Sequence, residues 1–186
     1  VVYKNKIKTE DSGEKIIESI AAEVNKIKEE YNIKTMGVGT PGLIKNGLVT
    51  AINLDFKDLP LESILSDKTD LPVTVDNDAN CAALGEIEFG VAKHCKDIVL
   101  VTLGTGVGGG VILGRQICHT ENNMGEIGHI IIQADGGRPC PCGQEGCYEQ
   151  YASISALCRD AEIAANKNID SRLYEIYKEN GKITGR

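Results

Sequence analysis

Ile98-Val99-Leu100-Val101-Thr102-Leu103-Gly104-Thr105-Gly106-Val107-Gly108-Gly109-Gly110-Val111-Ile112-Leu113 is the stretch that decides the architecture of this 186-residue chain. Residues 98–103 form an apolar run of strand length, which predicts a buried strand. The run enters a segment with five glycines in seven positions, Gly104 to Gly110, after which Val111 to Leu113 continues as a second strand. Lacking Cβ atoms, such a segment lets backbone N–H groups approach an anion, and it can equally be a plain tight hairpin. Both readings stand at this point. No Gly-Lys-Ser/Thr follows, which excludes a Walker A loop, and the strand that comes next argues against a dinucleotide-binding turn.

Upstream, Pro72 to Val75 predicts a strand and Ala79 to Phe89 a helix, with Asp76-Asn77-Asp78-Ala79-Asn80 at their junction. A carboxylate there can cap the helix. It can also accept a hydroxyl proton during group transfer, held ionised by the helix N-terminus. Further back, Ile16, Ile17, Ile20, Val24, Ile27 and Tyr31 recur at helical spacing behind Asp11 or Ser12 as cap, which predicts a helix over 12–31. Thr35 to Val38 predicts a strand closed by Gly39-Thr40-Pro41-Gly42, and Leu43 to Leu54 a hairpin turning at Asn46-Gly47. A short helix is expected from Pro60 to Ser66. Downstream, residues 120–148 are rich in glycine and irregular, and helices are expected over Glu149–Asn166 and Leu173–Glu179. Strands and helices mixed in this way indicate an α/β fold.

Within the irregular stretch lie His129, Cys140, Cys142 and Cys147. One imidazole and three thiolates suit tetrahedral Zn²⁺, and four protein ligands make such an ion structural, with no open position for chemistry. The alternative is a set of free thiols beside an unrelated histidine. Seven cysteines, an odd number, cannot all pair. With 27 acidic against 20 basic residues the net charge is -7, which argues against nucleic acid as partner. No apolar run reaches membrane-spanning length and no signal peptide is seen, so a cytoplasmic protein is expected.

Taken together, Gly37-x-Gly39-x-Pro41-Gly42, Asn77-Asp78-Ala79-Asn80, Gly104 to Gly110, Gly125-Glu126-Ile127-Gly128-His129 and Cys140-x-Cys142-Gly143-x-x-Gly146-Cys147-x-Glu149 resemble, in order, the motifs of the ROK (repressor, open reading frame, kinase) family. The segment Asn53 to Leu61 resembles its bacterial glucokinase branch, with Phe56 where a Trp is common. The resemblance implies an actin-like ATPase (ribonuclease H-like) α/β sugar kinase fold with a zinc-binding loop. Residues 1–115 would be a smaller domain lacking its first strands, and 116–186 the start of a larger one. The family's opening Asp-x-Gly-Gly-Thr loop and its later helices are not found, so a chain incomplete at both ends is expected.

By position, the resemblance makes Asp78 the catalytic base for a hexose 6-hydroxyl and places Gly42, Asn53, Asn77, Asp78, Glu126, His129 and Glu149 around the sugar. His129 would bind Zn²⁺ with Cys140, Cys142 and Cys147 through one ring nitrogen and face the sugar with the other. Gly104, Thr105, Gly106, Gly108 and Gly109 would hold ATP phosphates, with Mg²⁺ accompanying the nucleotide. Two glutamates beside the sugar would repel a triphosphate, which puts the nucleotide on the wall opposite Glu126 and Glu149. The implied activity is ATP-dependent phosphorylation of a hexose, glucose first among candidates, by a homodimeric full-length protein. The alternatives are the sugar-sensing module of a ROK transcriptional regulator and an inactive, zinc-stabilised sugar-binding piece.

Overall fold

The computed structural model describes residues 1–119 and 124–185, so residues 120–123 of the irregular stretch lie outside the described residues. The chain packs as two compact units, Val1–Cys81 and Ala82–Arg186.

In the first unit, α1 (Gly13–Lys28) starts where Ser12 Oγ accepts a hydrogen bond from Lys15 N. It buries Ile16, Ile17 and Ala21, and it ends three residues short of the expected Tyr31. Its apolar side meets Val49, Ala51, Phe56, Leu61, Leu65 and Val75 in one core. That core is built on β1 (Met36–Thr40), β2 (Leu43–Lys45), β3 (Leu48–Ala51), β4 (Phe56–Leu59), α2 (Leu61–Thr69) and β5 (Val73–Asn77). Strands β1 and β5 pair in parallel, Gly39 opposite Asp76 and Thr40 opposite Asn77. The β2–β3 hairpin turns at Asn46 and Gly47, both at positive φ, as a type I′ turn requires.

The expected two-stranded hairpin is in fact a three-stranded sheet, with a one-turn helix at Ile52–Leu54 leading into β4. The third strand hides in the sequence because Asp55 and Asp58, at φ 56° and 46°, break its alternation, and the β3–β4 register shifts between Val49 and Ala51.

Helix α3 (Asp78–Glu88) begins at the end of β5. In the second unit, β6 (Ile98–Leu103), β7 (Val107–Leu113) and β8 (Gln116–Ile117) form an antiparallel sheet. Ile98, Leu100, Ile112 and Ile117 pack on Ala83, Leu84 and Ile87 of α3. The opposite face of β6 is open: Val99, Val101 and Leu103 are 64%, 43% and 56% exposed. The run expected to be buried is therefore covered on one face only, a distinction that an unbroken apolar string cannot encode. Strand β7 starts at Val107, four residues before the expected Val111, with Gly108 paired to Thr102 and Gly109 to Val101. The glycine loop is a tight turn, Gly104 to Gly106, followed by a glycine-rich strand.

A one-turn helix at Ile127–His129 and two isolated bridges, Ile131–Cys147 and Pro139–Glu145, shape the following loop. The expected single helix from Glu149 is split into α4 (Glu149–Ala152) and α5 (Ile154–Lys167) by the extended, buried Ser153, whose hydroxyl caps α5 at Ala156 N. Helix α6 (Arg172–Asn180) closes the fold behind its own serine cap, Ser171. Among the described residues, no helix is long and apolar enough to cross a membrane.

Candidate active site and metal centre

The junction of β5 and α3 is built by an amide. Asn77 Oδ1 accepts from Ala79 N at 2.9 Å and Asn80 N at 3.4 Å, while Asn77 Nδ2 donates to Gly42 O at 3.2 Å. Asn77 is thus the cap of α3, and Asp78 is the helix's first residue, its Oδ1 also accepting from Ala79 N at 2.9 Å. Asp76 Oδ1 accepts from Asn80 Nδ2 and from Asn77 N, so the whole Asp76–Asn80 segment is bound to itself. Gly42, at φ 95°, lies so close to Thr50 O and Ala51 that a side chain has no room. Cys81, one turn into α3, has its thiol pushed up by burial and then by the charges of Asp76 and Asp78. Of the expected sugar residues in the first unit, the structure joins Gly42, Asn77 and Asp78. Asn53 is exposed in the one-turn helix and, among the described residues, makes no side-chain hydrogen bond.

In the second unit the four expected metal ligands converge, their donor atoms all within 4.8 Å of one another. Cys140 Sγ is 3.5 Å from His129 Nδ1, and Cys142 Sγ is 3.6 Å from Cys147 Sγ. Tetrahedral Zn²⁺ with Zn–S of about 2.3 Å and Zn–N of about 2.0 Å sets neighbouring ligand atoms about 3.5–3.8 Å apart. The donor set fits zinc in type and number, and the two contacting pairs fit it in spacing. The fully buried Cys147 thiol is pushed up to about 12 by desolvation, and by its neighbours Cys142 and Cys140. A protein-only site would therefore keep it protonated, whereas a dication turns it into a thiolate ligand. Cys142, the exposed member, is held below the usual thiol value, first by a backbone N–H at Gln144. Gln150 Nε2 donates to Cys140 Sγ at 3.6 Å, a supporting contact that nothing in the ligand spacing announces.

With Nδ1 turned to the thiols, the other edge of the ring faces Glu126: Nε2 and Glu126 Oε2 are 3.8 Å apart, both side chains partly exposed. Glu149 is placed differently. Its Oε2 accepts from Val107 N at 2.9 Å, at the foot of the glycine turn. The expectation that both glutamates lie across from the glycine segment is therefore corrected for Glu149, which touches it. Of the expected phosphate residues, Gly104, Thr105 and Gly106 make the turn, and Gly108 and Gly109 lie in β7.

The sequence pattern described as the ROK family matches residues 1–184. The chain belongs to the ROK family. A glucokinase of Halalkalibacterium halodurans is 40% identical over 186 residues, covering 95% of this chain and 56% of that protein. The solved structure of a ROK family glucokinase from Streptomyces griseus, in complex with glucose and AMPPNP, matches with TM-score 0.77 at 38% identity, over 89% of this chain and 54% of that one. A xylose repressor of Bacillus subtilis is 36% identical over 140 residues, 74% of this chain and 36% of the repressor. This ROK chain spans about half the length of the kinases it matches. Its fold is the α/β actin-like ATPase fold of ROK sugar kinases, as the motifs imply.

Proposed function

We propose that the parent of this chain phosphorylates a hexose, glucose in the first place, at its 6-hydroxyl with Mg²⁺–ATP, and that Asp78 is the base. One observation carries the reading: Asn77 caps α3 at Ala79 N and Asn80 N, and Asp78 shares only the first of these through Oδ1, which leaves its Oδ2 for a proton. From the first position of the helix the Asp78 carboxylate can take the hydroxyl proton as the oxygen attacks the γ-phosphorus and ADP leaves. Asn77 spends its oxygen on two N–H groups and one amide hydrogen on Gly42 O, leaving the second hydrogen to donate to a sugar oxygen. Glu126 accepts from sugar hydroxyls, as does Glu149 through its second oxygen, and His129 presents Nε2. Gly42 and Asn53 lie at the pocket edge. Thr105 and its neighbouring glycines receive the phosphates.

Zinc, when bound by His129, Cys140, Cys142 and Cys147, supplies no reaction step; it fixes the imidazole's tautomer and orientation. The same reading makes the parent a cytoplasmic homodimer acting on hexose and ATP, without nucleic acid or membrane, and divides the chain near residue 115 into a smaller domain and the start of a larger one. The test is an assay of the full-length parent with Mg²⁺–ATP and glucose, fructose, mannose or N-acetylmannosamine, scored by the sugar 6-phosphate formed. Glucose is expected to give the highest kcat/KM. No turnover with any of the four would sink the kinase reading. It would favour the second, the sugar sensor of a regulator, which the likeness to the Bacillus subtilis repressor supports.

A further inference from the structure

The turn between β6 and β7 is held from one side by the segment that follows the metal loop. Ile154 N donates to Gly104 O at 2.9 Å, Ser155 Oγ donates to Thr105 O at 2.7 Å, and Glu149 Oε2 accepts from Val107 N at 2.9 Å. Gly106 is pressed so closely on the Glu149 carboxylate that a Cβ there would collide with it. Three hydrogen bonds thus tie the turn to residues 149, 154 and 155.

Their consequence follows from the planarity of the peptide. In a trans peptide the C=O of one residue and the N–H of the next point in opposite directions, and the described chain contains no cis peptide. With Gly104 C=O drawn to Ile154 and Thr105 C=O drawn to Ser155, the N–H groups of Thr105 and Gly106 are turned away from α5, side by side. Among the described residues neither N–H has a protein partner. Two adjacent donors with the same outlook, at a position where Gly106 carries no side chain, make a cradle for a phosphate oxygen. The Glu149 carboxylate lies against Gly106, with its Oε2 bound to Val107 N–H.

We infer that Glu149 and Ser155 are positioning residues for the nucleotide. They lock the turn so that Thr105 and Gly106 N–H face a phosphate, and through Glu149 the same carboxylate that would hold the sugar also holds the phosphate turn. Binding of hexose and of ATP is thereby coupled inside one unit, an inference that rests on the kinase reading above.

The experiment measures the affinities of a non-hydrolysable ATP analogue and of glucose for the full-length parent by calorimetry, each alone and with the other present. Ser155 is exposed, so Ser155→Ala removes one hydrogen bond without a cavity. It should weaken the analogue about three- to tenfold, the worth of one such bond, while glucose alone binds as in wild type; Ser155→Thr, which restores a hydroxyl, should recover the loss. Glu149→Gln keeps an oxygen for Val107 N–H, so it should weaken glucose and spare the analogue, whereas Glu149→Ala should weaken both and abolish their coupling. Zinc content and melting temperature report folding, and if Glu149→Ala does not fold the Ser155 pair decides. Wild-type affinity for the analogue in Ser155→Ala, with wild type itself binding both ligands, overturns the lock and leaves the kinase reading standing. A wild-type parent that binds glucose and no ATP analogue overturns both.

Discussion

The start of α3 and the loop from Glu126 to Cys147 both carry residues proposed to act on the sugar, yet they are made in opposite ways. Asp78 stands on regular structure: a paired strand ends at Asn77, a helix begins at once, and an amide cap joins them. His129 stands on a one-turn helix in a loop with two isolated bridges, and its ring meets Cys140 Sγ in a cluster completed by Cys142 and Cys147. In the first case backbone hydrogen bonds orient the functional group, and in the second the proposed zinc would. The comparison teaches where each site is vulnerable. The loop should fail all at once when its ion is lost, and the helix start should lose function residue by residue while remaining folded.

Removing the ion is the strongest way to break that contrast. A structural Zn²⁺ site is worth about 10–16 kcal/mol, and this free energy is folding free energy for the residues it gathers. Cys147→Ala, or a strong chelator, should release one Zn²⁺ per chain by elemental analysis and unprotect amides of residues 127–147 in hydrogen exchange, while those of α1 and β1 keep their protection. Protein that is metal-free as purified and still protected in the loop would show that the four side chains converge without an ion, and the comparison would collapse.

At the helix start the corresponding change is Asp78→Asn, which retains shape and an oxygen acceptor for Ala79 N–H. Turnover in the full-length parent should fall roughly 10²–10⁴-fold, the usual cost of losing a general base, with glucose affinity and melting temperature nearly unchanged. Near-normal turnover would make Asp78 a helix residue of no special consequence.

The same contrast explains what could be read in advance. Side chains that act through composition and spacing were legible: the Asn46-Gly47 turn, the stripe led by Ile16 and Ile17, and the His129, Cys140, Cys142 and Cys147 set, which the fold brings together. Roles set by tertiary contact were not. Asn77 and Asp78 are equally good caps on propensity, and only the β5–α3 geometry gives Asn77 two N–H groups and Asp78 one. Ser153 sits inside an apolar helical period yet ends one helix and starts the next, because burial and its bond to Ala156 N outweigh periodicity. Ser155 gives no signal at all, being one exposed serine in a first helical turn. Strand β8, two residues long, lies below any pattern a sequence can display.

Glu126 extends the comparison from the loop side, because it faces the edge of the His129 ring turned away from the thiols. Glu126→Gln should keep zinc and fold while weakening glucose about tenfold or more, since a hydrogen bond to a charged group is worth about 1.5–3 kcal/mol. Unchanged glucose affinity, with zinc retained, would detach Glu126 from the sugar.

The smallest effect tests the cap itself. Asn77→Ala deprives Ala79 N–H and Asn80 N–H of the Asn77 oxygen and Gly42 O of its donor, which should lower stability by about 0.5–2 kcal/mol in denaturant titration. Asn77→Asp keeps the capping oxygen and loses only the donor to Gly42, so it should recover most of the loss, its added charge being favourable at a helix N-terminus. The pair separates two ways of holding the junction. If Asn77→Ala is as stable as wild type, the bond from Ala79 N to Asp78 Oδ1 suffices as the cap, and Asp78 has a structural duty after all. A loss of turnover in Asp78→Asn would then have to be read with that duty in mind, and the contrast between a helix-held carboxylate and a metal-held imidazole would rest on the imidazole alone.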